Sequence, residues 1–243
     1  MTTAVIGATG RVGSQIVRGV LARGDAVTAL VRDPGKARRA FGEPGGLHIR
    51  ATRLDDPRDL TVALDGIRAV FIAMGSTGIE GVLQRIAINA AARINSIQQV
   101  TRLSVLNTSA ESLGINQRAH YSIDQFAAST AVPYSTIRPA IFSASLLAAA
   151  REVRASRTWT GLAGSGRMAL IDHRDAAEAG LRVLTDPALW GRAPRPDRTG
   201  SHVVAGGARA AFGGTRRARH LPGRGRAAVP RAPHRRRGTG GDG

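Results

Sequence analysis

Short apolar runs alternate with helical patterns from the amino terminus to about Trp190. "TAVIG" (3–7) is the uninterrupted kind of run that a strand buried on both faces carries. Arg11 to Ala22 then places Val12, Ile16, Val17 and Val20 on one helical face. "AVTALVR" (26–32) is a second strand, and the alternating "LHIRATRL" (47–54) a third, followed by a helix in "PRDLTVALDG". "AVFIAMG" (69–75), "QQVTRLSVL" (98–106) and "YSTIRPAIF" (134–142) continue the series, with helices near 80–94, 118–129 and 143–154. Strands joined by helical crossovers imply a parallel sheet covered on both faces. The expected fold is therefore α/β, a Rossmann-type doubly wound parallel sheet over residues 1–191. Residues 143–191 supply a small C-terminal substrate-binding portion, where "SASLLAAAREVRASRTWTGLAGSG" offers a mostly apolar lining of small residues with Trp159.

Beyond Trp190 the pattern stops. Residues 192–243 hold few large apolar residues and no sustained amphipathic period, so burial cannot offset their chain entropy, and a disordered Arg/Gly-rich tail is expected.

The charge changes this picture less than it first suggests. The net charge is +18, but 13 arginines against Asp197 and Asp242 place +11 of it in the tail. Lys36 is the only lysine, an arginine bias expected of a GC-rich coding sequence. No nucleic-acid partner is expected from such a distribution. With no cysteine there is no disulfide framework, thiolate nucleophile or cysteine metal site. No apolar stretch approaches the roughly 18–20 residues of a membrane span, and a cytoplasmic protein is expected.

The chemistry begins between the first strand and first helix. "VIGATGRVG" spaces Gly7, Gly10 and Gly13 for a tight turn, a close approach of backbone to a pyrophosphate, and close helix packing. The phosphates would sit at the helix N-terminus, where free N–H groups and the dipole favour anions. At the end of the second strand an acid would suit the ribose 2′-hydroxyl of NAD(H), and a base the 2′-phosphate of NADP(H). "LVRDPGKA" presents Arg32, with Lys36 nearby and Arg11 in the glycine loop, so NADP(H) is expected in preference to NAD(H). Asp172, His173 and Asp175 in "LIDHRDAAE" fit a helix start better than a metal site, and no metal ligand set is expected.

"GATGRVG", "ALVRDPGKA", "LDDPRDLTVALDGIRAVFIAMG", "VTRLSVL", "PYSTIRPAIF" and "ALIDHRDAAEAGLRVLTDP", in this order, resemble the NmrA-like, or atypical short-chain dehydrogenase/reductase, family over residues 3 to about 190. The resemblance implies a Rossmann domain that binds NAD(P), in which Gly7, Thr9, Gly10, Arg11, Val12 and Gly13 form the phosphate loop and Arg32 and Lys36 the 2′-phosphate site. It implies that Leu54 and Asp55 lie near the adenine, with Arg53 a departure where relatives carry an acid. Ala73, Met74 and Gly75 would pass the cofactor ribose. Ser104 would face the nicotinamide, and Pro139, Ala140, Ile141 and Phe142 would cover its carboxamide. The family includes NADPH-dependent quinone, azo and isoflavone-type reductases, and regulators that bind dinucleotide without turnover.

Two functions follow as expectations: an NADPH-dependent oxidoreductase acting on a small apolar carbonyl, quinone or enone, or a redox-sensing binding protein. In many reductases a lysine four residues after a tyrosine lowers the phenol's pKa, but here Tyr121 is followed by Gln125, and Lys36 is already claimed by the phosphate site. The matching segment in the resembled subgroup carries His and then an acid, as His120 and Asp124 do here. An unperturbed histidine, with a pKa of about 6.5, donates a proton near neutrality. His120, Tyr121 or water is therefore the expected proton source, with Ser104 beside the nicotinamide. For the tail, Ala205–Arg209 can be written in GC-rich codons that, shifted by one nucleotide, read Pro-Glu-Ala-Leu, a stretch with which relatives continue; a displaced reading frame is expected there.

Overall fold

The computed structural model describes residues 1–145, 150, 154–155 and 169–191. Its strands are β1 (Thr3–Ile6), β2 (Val27–Val31), β3 (Leu47–Ala51), β4 (Ala69–Ile72), β5 (Gln99–Leu103) and β6 (Tyr134–Ile137). Between them run α1 (Arg11–Ala22), α2 (Pro34–Phe41), α3 (Pro57–Ala63), α4 (Ile79–Ala92) and α5 (Ile115–Ala128). All six strands are parallel, in the order β3-β2-β1-β4-β5-β6. The apolar runs are continuous because both faces of the sheet are covered. Ala4, Ile6, Val70, Ile72 and Val100 turn toward α3, α4 and α5, where Leu60, Ile88, Ile123 and Ala127 meet them. Val5, Ala29, Val31 and Phe71 turn the other way, onto Val12, Ile16, Val17 and Val20 of α1.

The second layer is completed by α6 (His173–Thr185), whose Ala177 and Leu184 join the α1 side. This helix starts where the sequence reading put it. Asp172 is its N-cap and accepts from the Arg174 N–H at 2.8 Å, and Asp175 lies in the first turn. Among the described residues no group of three potential ligands could hold a metal ion. No helix among them is long and apolar enough to cross a membrane.

The "YSTIRPAIF" run is not one strand, as expected from its pattern, but two. β6 ends at Ile137, and β7 (Ile141–Phe142) pairs instead with β8 (Leu170–Ile171) in a separate two-stranded sheet. Pro139 lies at the break, since it has no N–H for a ladder; its carbonyl accepts from Leu106 N at 2.9 Å. The third strand stops at Ala51 rather than Leu54, because Thr52 N still reaches Val31 O at 2.9 Å but Arg53 N is captured by the Asp59 carboxylate at 2.7 Å. The helix expected over 143–154 falls largely outside the described residues, as do most of the substrate-side segment and all of the tail at 192–243.

Candidate functional site: a dinucleotide edge and a buried arginine network

Strand order reverses between β1 and β4, the place where ligands bind in open α/β sheets. The register pairs Ile6 with Leu30 and Ile72, and Ile72 with Arg102. Gly7, Arg32, Ala73 and Ser104, which follow those positions by one or two residues, therefore line the carboxyl edge of the sheet in a row. Ala73 N donates to Ile6 O at 3.0 Å, holding the two turns together. Gly7 sits at φ +78°, and a Cβ there would lie 2.1 Å from the Ala73 carbonyl oxygen. No side chain is compatible with that turn.

Gly10 N–H donates to Gly7 O at 3.0 Å and Gly10 becomes the N-cap of α1. No side chain caps this helix, and its first turn contains no acid. Its leading N–H groups thus lack intrahelical acceptors and meet no competing carboxylate. A Cβ on Gly13 would come within 2.2 Å of Gly7 O, so the bare glycine lets the helix start lie against the loop. Thr9 is half-buried, Val12 is buried in the core, and Arg11 is exposed at the helix start.

At the end of β2, Arg32 and Lys36 are both exposed. Asp33, the one acid there that could receive a ribose hydroxyl, is engaged elsewhere. It caps α2 by accepting from Lys36 N at 3.0 Å, and Arg39 lies 3.8 Å from its other oxygen. The backbone hydrogen bond from Lys36 holds its carboxyl below the usual range. Leu54 is buried in the core, whereas Asp55 points outward and pairs with Arg53 at 3.5 Å. Of the loop after β4, Ala73 and Met74 are half-buried and Gly75 is exposed. Pro139 is buried, Ala140 and Phe142 are half-buried and Ile141 is exposed.

Two of the residues expected to do chemistry, His120 and Ser104, converge on a group that sequence reasoning did not select, Arg102. It is fully buried on the α4–α5 face of β5. Its Nε donates to the Tyr134 hydroxyl at 2.7 Å. One terminal nitrogen donates to Gln84 Oε1 at 3.2 Å and faces His120 Nδ1 at 2.8 Å. The other donates to Ser104 Oγ at 3.1 Å, to the His120 carbonyl at 3.2 Å and to Asp124. Asp124 also accepts from Tyr134 Oη at 2.9 Å, Ser104 Oγ at 3.2 Å and Arg138 at 3.0 Å. Gln84 in turn donates to the Gly75 carbonyl. One hydrogen-bonded chain thus runs from the loop after β4 to His120.

Burial opposes the charge of Arg102, but the Tyr134 hydroxyl and the Asp124 carboxylate more than offset it, and the guanidinium stays cationic. Burial pushes the Tyr134 phenol well above its usual range. Burial, and then the Arg102 charge, lower His120 to about 4, against the pull of Asp124. This departs from the sequence expectation. At neutral pH His120 is a neutral imidazole, not a titrating acid, because the ring lies beside a cation in a nearly dry site. Ser104 likewise turns its hydroxyl into the network, where it is 1% exposed. Tyr121, one residue round α5 from His120, is half-buried.

Signals for Arg102 were present. It stands two residues before Ser104 in a strand, hence on the same face, and His120 and Asp124 are four apart on one helix. An arginine on the covered face of an apolar run needs a buried acceptor, and Asp124 is one.

The sequence matches the NAD(P)H-binding family over residues 7–187. It is 27% identical over 192 residues to quinone oxidoreductase 2 of Escherichia coli K12, covering 78% of this chain and 66% of that one. It is 28% identical over 190 residues to the NAD(P)H azoreductase of Xenophilus azovorans, covering 75% and 63%. In both cases the matched region spans just under two thirds of the relative's length. The fold superposes on the E. coli NADPH-dependent quinone oxidoreductase in complex with NADPH, with a TM-score of 0.71 at 26% identity over 79% of this chain and 67% of that one.

Proposed function

The chain belongs to the NAD(P)H-binding family, and from that premise we propose that it is an NADPH-dependent oxidoreductase reducing a small apolar carbonyl, quinone or enone. The observation that carries this reading is that an open phosphate cradle and the His120 network lie on one sheet edge, the network tied through Gln84 to Gly75 in the loop after β4 and that loop tied to the cradle's turn by Ala73 N and Ile6 O. The residues present fit a dinucleotide. The uncapped start of α1 suits a pyrophosphate, and Arg11, Arg32 and Lys36 suit a 2′-phosphate, with Asp33 withdrawn as a helix cap. The resemblance would place Ala73 to Gly75 beside the ribose, Leu54 and Asp55 toward the adenine, and Pro139 to Phe142 over the carboxamide. When bound, the cofactor supplies the hydride.

The role of His120 in this reading is that of a hydrogen-bond donor to the acceptor's oxygen, which stabilises negative charge as it develops there. The net proton comes from water or Tyr121, since burial and the Arg102 charge leave almost no His120 imidazolium at pH 7 to donate one. Ser104 holds the network from the strand side. The relatives named as a quinone oxidoreductase and an azoreductase support an apolar, electron-poor acceptor.

A second reading, a dinucleotide sensor without turnover, draws on the same inward commitment of Ser104 and His120. NADPH oxidation against a panel of quinones, measured beside NADPH affinity, separates the two. Acceptor-dependent oxidation supports the reductase. Tight NADPH binding with no oxidation of any acceptor rejects it in favour of the sensor.

A further inference from the structure

A guanidinium carries only donors, so wherever it meets an imidazole nitrogen that nitrogen must be the acceptor. Arg102 faces His120 Nδ1 at 2.8 Å, which leaves the ring's single proton on Nε2. We propose that Arg102 is a positioning residue that locks His120 in the Nε2–H tautomer, aiming one fixed hydrogen-bond donor away from the network. The claim that this donor meets the acceptor's oxygen rests on the reductase reading; the tautomer itself does not.

The surroundings make the lock rigid. Arg102 also donates to the His120 carbonyl at 3.2 Å, so it grips both ends of the residue. Its own plane is fixed by Tyr134, Gln84, Ser104 and Asp124. Among the described residues the charged and titratable groups in the cluster around His120 are Arg102 on β5, Asp124 on the same helix, Tyr134 at the start of β6 and Arg138 just past its end. Asp124 is, among the described residues, the one carboxylate of this cluster, and it is engaged by Arg102, Arg138, Tyr134 and Ser104. No carboxylate among the described residues is hydrogen-bonded to the imidazole, the arrangement that elsewhere fixes the opposite tautomer. Through Gln84 the same guanidinium is tied to the Gly75 carbonyl, so the donor's position is referred to the loop beside which the cofactor would lie.

The test is long-range nitrogen-15 NMR of the full chain labelled at histidine, with the His120 signals identified by their loss in His120→Asn. In the unsubstituted protein at pH 7, His120 should show an unprotonated Nδ1 and a protonated Nε2, and should not titrate between pH 6 and 7. In Arg102→Gln the two nitrogens should move toward a mixed tautomer and titrate closer to the ordinary histidine range. With a quinone acceptor, kcat should fall at least ten-fold while the Kd for NADPH changes less than three-fold. A protonated Nδ1, or ordinary titration near 6.5, in the unsubstituted protein overturns the proposal even if Arg102→Gln fails to fold. Unchanged nitrogen signals in a folded Arg102→Gln protein overturn it as well. The expected tautomer in a protein that oxidises no acceptor upholds the lock and rejects the reductase reading.

Discussion

Arg32 is an exposed guanidinium at the end of β2, and nothing acidic there competes for it, because Asp33 is held by the α2 backbone and Arg39. Arg32→Asp is therefore expected to weaken NADPH by about 1.5–3 kcal/mol, the range of a charge-assisted contact. NADH should be nearly unaffected. Titrating both cofactors by fluorescence or calorimetry checks this, and equal losses would reject the 2′-phosphate assignment. His120 makes a different residue-scale prediction. Its folded value of about 4 lies below the unfolded value near 6.5, so between these the unfolded chain binds the extra proton. Stability is expected to fall as pH drops through that window, with His120 contributing on the order of 3 kcal/mol. Asparagine places an amide oxygen near Nδ1 for Arg102 but does not titrate. Urea unfolding of His120→Asn at pH 7 and pH 4.5 should then show a smaller loss than the unsubstituted protein.

At the scale of elements, the start of α1 is positioned by what its glycines lack. In Gly13→Ala the methyl would lie 2.2 Å from the Gly7 carbonyl oxygen and 3.1 Å from Ala8 Cα, both backbone atoms that cannot swing aside. The helix must withdraw from the loop, carrying its free N–H groups with it. NADPH affinity is expected to drop at least ten-fold, about 1.4 kcal/mol, while the far-ultraviolet circular dichroism keeps its α/β shape. Full-strength binding by Gly13→Ala would show that the helix start is not the phosphate site. On the other side of the sheet, α4, α5, β5 and β6 are joined by one buried polar cluster. Asp124→Ala leaves Arg102 in the interior without its carboxylate, and a loss of about 3–5 kcal/mol is expected in chemical denaturation. A change below about 1 kcal/mol would mean that solvent reaches Arg102 after all.

For the whole molecule, the contact between layers depends on close approach of α6. A Cβ on Gly180 would come 2.7 Å from a ring carbon of Phe71 in β4 and 3.3 Å from Ile16 in α1. Gly180→Val should push α6 outward and destabilise the fold by about 1–3 kcal/mol, the usual cost of overpacking. An unchanged melting temperature would show that the layer has room to spare. The same substitution should leave the His120 network intact, since that cluster lies on the opposite face of the sheet.

How much of this was legible in the chain follows from range. Strand and helix identities, the glycine turn and the Asp172 cap depend on neighbours within a few residues, so periodicity, φ requirements and capping chemistry reveal them directly. The covered parallel sheet follows because its strands read as unbroken apolar runs such as Ala4 to Ile6 and Ala69 to Ile72. The family resemblance extended that reading to the NAD(P)H edge. What local pattern could not reveal was the break of "YSTIRPAIF" into β6 and β7, where an isolated Pro139 competes with a good strand sequence and the partner that decides the outcome, Leu170–Ile171, lies some thirty positions on. Nor could it reveal the state of His120. Its titration is set first by a loss of water that only helix-on-sheet packing produces, and then by Arg102, 18 residues away. The sequence by itself determined which residues could carry charge and protons at this edge; the tertiary structure alone decided which of them hold each other, because burial and a neighbouring cation change a group's chemistry without changing its identity.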